Sequence, residues 1–141
     1  MRTAILVDGS FFIKRYRYLY HDSKTKTPNQ VARDLYAGLL RNLRSANKSQ
    51  INRKELYRIF YYDCPPLTKR VQNPVSKRGF NFGDTEEAKF RIAFHEELKR
   101  LRKVALRLGR ISDDGHWAIN PKKTKELLNE KSLSLNYLRK M

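Results

Sequence analysis

The chain has 141 residues, with 31 Lys and Arg against 14 Asp and Glu, a formal net charge of +17. That is one domain at most, large enough to bury roughly 70% of the surface its unfolded chain exposes. No window nears the ~20 apolar residues of a membrane span, and the first apolar run is too short for a secretory leader, so a cytoplasmic protein without a membrane partner is expected. A single cysteine, Cys64, excludes an internal disulfide and any multi-cysteine zinc site. The basic residues are spread along the chain rather than gathered in a tail. Such an excess favours a polyanionic partner, nucleic acid before acidic membrane. The competing reading is a solvated or protein-binding basic surface.

In chain order, Thr3–Val7 reads as a short apolar strand, buried on both faces as in a parallel sheet. It ends in Asp8-Gly9-Ser10. Ser10 is the expected cap of a helix over about 11–20, which places Phe12, Tyr16, Leu19 and Tyr20 on one side. Pro28 opens a long helix. Its stripe of Val31, Leu35, Leu39 and Leu43, widened by Ala32 and Tyr36, marks the core face, and polar Ser45–Asn52 ends it. Glu55–Tyr62, rich in aromatic and aliphatic residues, is the second strand, stopped by Asp63-Cys64-Pro65-Pro66. An irregular segment to about Gly83 follows. Asp84 is the expected cap of a helix running to about Arg102, with Glu87 reaching back and with Phe90, Phe94, Leu98 and Leu101 facing the core. Val104–Ile111 is the third strand. "SDDGHWAI" predicts a turn into a short strand, and Asn120 caps a last helix.

Strands alternating with helices predict an α/β domain with a mainly parallel sheet, whose ligands sit beyond the carboxyl ends of the strands. Asp8 and Asp63 are each the first acid after an apolar strand. Side by side at that edge they could hold Mg²⁺ or Mn²⁺, which prefer oxygen ligands, and the metal would activate water against a phosphodiester. From spacing alone a turn or cap role accounts for Asp8 slightly better than a ligand role, and for Asp63, just before Cys64-Pro65-Pro66, much better. His95-Glu96 lacks the second histidine of a zinc-protease helix and reads as a surface or groove contact. Asp113-Asp114-Gly115-His116 reads as a charged turn, and Cys64 as a structural thiol. Basic pairs suited to phosphate contacts are Lys14, Arg15 and Arg17, then Lys69 and Arg70, then Lys77 and Arg78. Aromatics near them, Tyr16, Tyr18, Tyr20, Phe80, Phe82 and Trp117, suit stacking on unpaired bases.

Four stretches taken together, "AILVDGSFF", "LYRIFYYDCPPL", "FHEELKRLRKVALRLG" and "DGHWAINP", resemble the NYN-domain family, relatives of the PIN-like ribonuclease fold. The resemblance covers residues 1–130 and leaves 131–141 as a C-terminal segment expected to be disordered. It implies a PIN-like, Rossmann-like three-layer sandwich with a mainly parallel sheet and an acidic pocket at its carboxyl edge. It implies a metal-dependent ribonuclease using Mg²⁺ or Mn²⁺, with Asp8 as a metal ligand and Asp63 near the pocket. The family continues into a further strand-and-helix half, with another acid in a "GDSDF"-like stretch. This chain has no counterpart to it, so the sheet is expected to stop after about three main strands. The expectation is therefore an NYN-like ribonuclease module with an incomplete acidic site, active where the missing acids are supplied. Its partners would be RNA and a second copy or complementary half-domain. The alternative is a non-catalytic RNA-binding or assembly subunit that uses the basic surface.

Overall fold

The computed structural model describes residues 1–47, 54–113 and 115–129. Asp114, Glu130 and the 131–141 segment lie outside the described residues. Strand β1 is Arg2–Asp8 and helix α1 Gly9–Leu19. Helix α2 is Pro28–Ala46 and strand β2 Glu55–Asp63. Two short strands follow, β3 (Arg70–Gln72) and β4 (Gly79–Asn81), then helix α3 (Glu86–Arg100), strand β5 (Val104–Leu108) and helix α4 (Pro121–Asn129).

β1, β2 and β5 form one parallel sheet in the order β1-β2-β5. β2 is central because both crossovers return beside it, through α1 and α2 and then through α3. β3 and β4 pair antiparallel as a separate hairpin. The expected irregular segment after Pro66 therefore contains an ordered ribbon. Its strands are too short to announce themselves by alternation, and its turn places Lys77 at φ 57°.

Local chemistry sets the helix starts. Thr27 Oγ1 accepts from Gln30 N at 3.2 Å and Gln30 Oε1 accepts from Thr27 N at 2.8 Å, a reciprocal capping box before Pro28. α3 is capped by Thr85, whose Oγ1 accepts from Ala88 N at 3.1 Å, not by Asp84. That acid belongs instead to a single 3-10 turn over Phe82–Asp84. α1 is likewise capped by Asp8 rather than Ser10, because the helix begins at once after the strand, with Gly9 as its first residue. An added Cβ on Gly9 would lie 2.6 Å from the Tyr61 ring and 2.8 Å from the Tyr62 carbonyl. Only glycine lets α1 start this close to β2.

The core joins Ile13 and Tyr16 of α1, Val31, Ala32 and Leu35 of α2, Tyr61 of β2, and Phe94 and Leu98 of α3. Val7, Val104 and Leu106 pack against it from the sheet. Ile13 takes the place expected for Leu19 and Tyr20, which are exposed. α1, α2 and α3 thus cover one sheet face. The opposite face leaves Leu6 at 67% and Tyr62 at 47% exposure, and β1 alternates between half-buried and exposed residues. One expectation is corrected here: β1 is not buried on both faces. The chain is an α/β protein with an open, mainly parallel sheet, which the strand-helix alternation predicts. β5 ends at Leu108, earlier than expected, and no strand follows in the described part of "SDDGHWAI". No described helix is long and apolar enough to cross a membrane.

Candidate active site at the carboxyl edge of the sheet

Asp8 and Asp63 both line one shallow cleft of about 640 Å³ beyond the strand ends, with Leu6, Ser10, Tyr62, Cys64, Arg107 and Gly109. To that extent the structure brings the two acids together. Their surroundings differ because of strand register. Asp8 pairs with Tyr62, so Asp63 is one residue further along β2 and on the opposite face of the pleat. Asp8 ends on the open face; Asp63 ends under α3.

Asp8 is exposed. Its Oδ1 accepts from Phe11 N at 2.9 Å, which satisfies one of the orphan amides of α1. No ion pair among the described residues engages it, so its second oxygen is left to the cleft.

The Asp63 side chain is 2% exposed and surrounded by donors. Oδ1 accepts from Cys64 N at 2.9 Å and from Arg91 Nη1 at 3.0 Å. Oδ2 lies 2.8 Å from Arg91 Nη1 and 2.9 Å from His95 Nε2. Burial by itself raises the Asp63 pKa, but the His95 and Cys64 hydrogen bonds and the Arg91 charge outweigh it and hold the carboxyl below its usual range. An ionised carboxylate only accepts, so His95 Nε2 carries the proton it donates. The network continues outward. Arg91 Nε pairs with Glu87 at 3.1 Å, and Arg17 with Glu87 at 2.7 Å. Burial raises the Glu87 pKa and the two guanidiniums more than reverse this. Four alternating charges therefore tie β2 to α3 and α1.

This cluster engages both Asp63 oxygens, which removes it from any set of free metal ligands. Among the described residues no group of three or more His, Cys, Asp and Glu side chains is arranged to hold a metal. Mg²⁺ is commonly held by one or two carboxylates, with water and substrate phosphate completing its shell. Asp8 fits such a role as a single protein ligand.

The basic candidates divide into two groups. Lys14 and Arg15 are exposed on α1, with the Arg15 guanidinium 5.3 Å from the Tyr18 ring centre. Arg17 on the same helix is committed to Glu87. Lys69, Arg70, Lys77 and Arg78 gather on the β3–β4 hairpin, where Lys69 pairs with Asp113 at 2.9 Å. Of the aromatics, Tyr16 is core, while Tyr18, Tyr20, Phe80 and Trp117 are exposed. Sequence reasoning missed Glu87, Arg91 and His95 as one functional row. Their four-residue spacing, which places them on a single helix face, was the available signal. His95, expected at a surface or groove, is 4% exposed.

The fold and the cleft define a small α/β protein with an open parallel sheet and, among the described residues, one acid without an ion pair in the cleft at its carboxyl edge. Comparison with protein-family models, with curated proteins and with solved structures yields no match in any of the three.

Proposed function

We propose that the chain is an RNA-acting module of the NYN, PIN-like kind, in which Asp8 holds a divalent cation against an RNA phosphate. The observation that carries this reading is a lone, exposed carboxylate at the carboxyl end of β1 in a protein of net charge +17. Lys and Arg side chains draw the polyanion in, and Asp8 is the acid that a phosphate-bridging Mg²⁺ or Mn²⁺ would meet at the sheet edge. When bound, such an ion lowers the pKa of its water and neutralises phosphate charge. Asp63 does not touch the substrate in this reading. It fixes the end of β2 and the loop that forms the cleft wall.

The test is Mn²⁺-dependent cleavage of single-stranded RNA by the nucleic-acid-free protein and by Asp8→Asn. Asparagine caps a helix as well as aspartate does, so the variant keeps its fold. Loss of metal-dependent cleavage in Asp8→Asn supports the reading; equal rates in both proteins, or in chelator, refute it. A second reading, non-catalytic RNA binding, draws on the saturated Asp63, which leaves Asp8 as the free acid of this cleft among the described residues. It predicts steeply salt-dependent binding that Asp8→Asn leaves unchanged, with no cleavage.

A further inference from the structure

The two faces of the sheet differ in kind. The helix-covered face presents Ile5, Val7, Ile59, Tyr61, Val104 and Leu106. That is the aliphatic-rich surface expected of a parallel sheet packed against protein. On the open face the register sets Ala4 beside Arg58, Leu6 beside Phe60 and Ala105, and Asp8 beside Tyr62 and Arg107. This surface is not a second aliphatic core. Two aromatics follow one another on the central strand, with one arginine before them on β2 and another beside them on β5. Tyr62 is 47% exposed. The Arg107 guanidinium carbon sits 5.6 Å from the Phe60 ring centre, a cation parked over a ring face.

We infer that this open face is a binding site for single-stranded RNA, with Phe60 and Tyr62 as stacking platforms and Arg58 and Arg107 as phosphate contacts. The inference rests on the proposed RNA-acting role and locates the strand. Residues two apart on one strand face are ~6.7 Å apart, so exposed Tyr62 can take one splayed base and half-buried Phe60 a second, where Arg107 leaves the ring for a phosphate. Sheet-borne aromatics serve single-stranded RNA in this way, because every base has a π-face. A helical protein partner would prefer aliphatic side chains here and would have to desolvate two arginines. RNA brings phosphates to both. The track also has a direction: it runs along β2 toward the end of β1, where Asp8 stands at the rim of the same cleft as Tyr62 and Arg107. A strand bound across the rings thus delivers a phosphate to the free carboxylate.

The test uses the full chain, stripped of nucleic acid, and dye-labelled 12-nucleotide oligouridine and oligoadenosine, with a 12-base-pair RNA duplex as comparison. Fluorescence anisotropy should show tighter binding of the single strands. Phe60→Leu and Tyr62→Leu should each weaken it roughly 5- to 150-fold, the worth of one stacked base, while Tyr62→Phe restores it. Tyr57→Leu, the same change on the same strand but outside the ring pair, at the register shift of β2 against β1, should have no effect. Arg58→Gln and Arg107→Gln should each lower the slope of log affinity against log salt by about 0.7. If Phe60→Leu and Tyr62→Leu bind as wild type while Lys14→Gln or Arg70→Gln bind weakly, RNA lies on the helix or hairpin surface. This inference then falls and the RNA-acting role stands. If no RNA binds at all, both fall. If RNA-free protein sediments as a dimer that Tyr62→Leu dissolves, the face is a protein interface and the inference is overturned.

Discussion

Replacing Asp63 with alanine is the sharpest test of how the carboxyl edge is built. The side chain is 2% exposed and accepts from three partners: the Cys64 amide at 2.9 Å, Arg91 Nη1 at 2.8 and 3.0 Å, and His95 Nε2 at 2.9 Å. Truncation leaves the Arg91 side chain, 17% exposed, with only Glu87 to face, and leaves a 5% exposed imidazole N–H unpaired. Breaking a buried pair by removing one partner costs about 3–5 kcal/mol. Asp63→Ala should therefore destabilise by about that amount, read as a lower urea midpoint at unchanged slope. Asp8→Asn should stay within ~0.5 kcal/mol, because the cap survives. The double variant Asp63→Ala/Arg91→Met should lose less than the sum of the single changes by at least ~1 kcal/mol, since the stranded charge goes with Arg91. If Asp63→Ala falls within ~1 kcal/mol of wild type, the buried network is not what holds this edge. Asp63 would then again be a candidate for direct chemistry.

Gly9→Ala would gain ~1 kcal/mol at an ordinary helical position. Here its Cβ meets the Tyr61 ring and the Tyr62 carbonyl, so a loss of ~2 kcal/mol or more is expected by chemical denaturation. Thr27→Ala removes the capping box of α2 and should cost ~1 kcal/mol, visible as a lower thermal midpoint. The pKa of Asp63 is depressed in the folded state, so its contribution is complete above the unfolded value of ~3.9 and is lost as pH falls through the lower folded value. Stability should therefore decline below about pH 4, with a slope of up to ~1.4 kcal/mol per pH unit from this one group. Asp63→Ala should show a flatter acid limb.

What could be read in advance follows from the range of the forces involved. α2 was legible nearly to the residue, because Pro28 and a four-residue apolar stripe are local signals, and the parallel sheet followed from strands alternating with helices. The caps lie one or two positions from those expected, for a physical reason. Asp8 and Ser10, or Asp84 and Thr85, are all competent caps, and the choice depends on where the preceding strand or 3-10 turn stops. Ile13 is not marked out by sequence because α1 is apolar on more than one side. Which side is core depends on Tyr61 and Phe94, far along the chain. The β3–β4 hairpin has three-residue strands, below the length at which alternation carries information.

The candidate site shows the same limit with a larger consequence. Asp8 and Asp63 share one local signature, each the first acid after an apolar strand, and only the family resemblance singles out Asp8 as a ligand. Pleat parity separates them: a pairing of Asp8 with Tyr62 sends Asp63 to the other face, and a register shifted by one residue would have put both acids on the same side. No local pattern in either strand encodes that register. It is set by Gly9 seating α1 on Tyr61, and by Glu87, Arg91 and His95 arriving from α3. The helices thus claim one carboxylate for structure and leave the other free. That division makes Asp8→Asn a test of chemistry and Asp63→Ala a test of folding. An activity loss in the second carries no catalytic meaning until the protein's stability has been restored or measured alongside it.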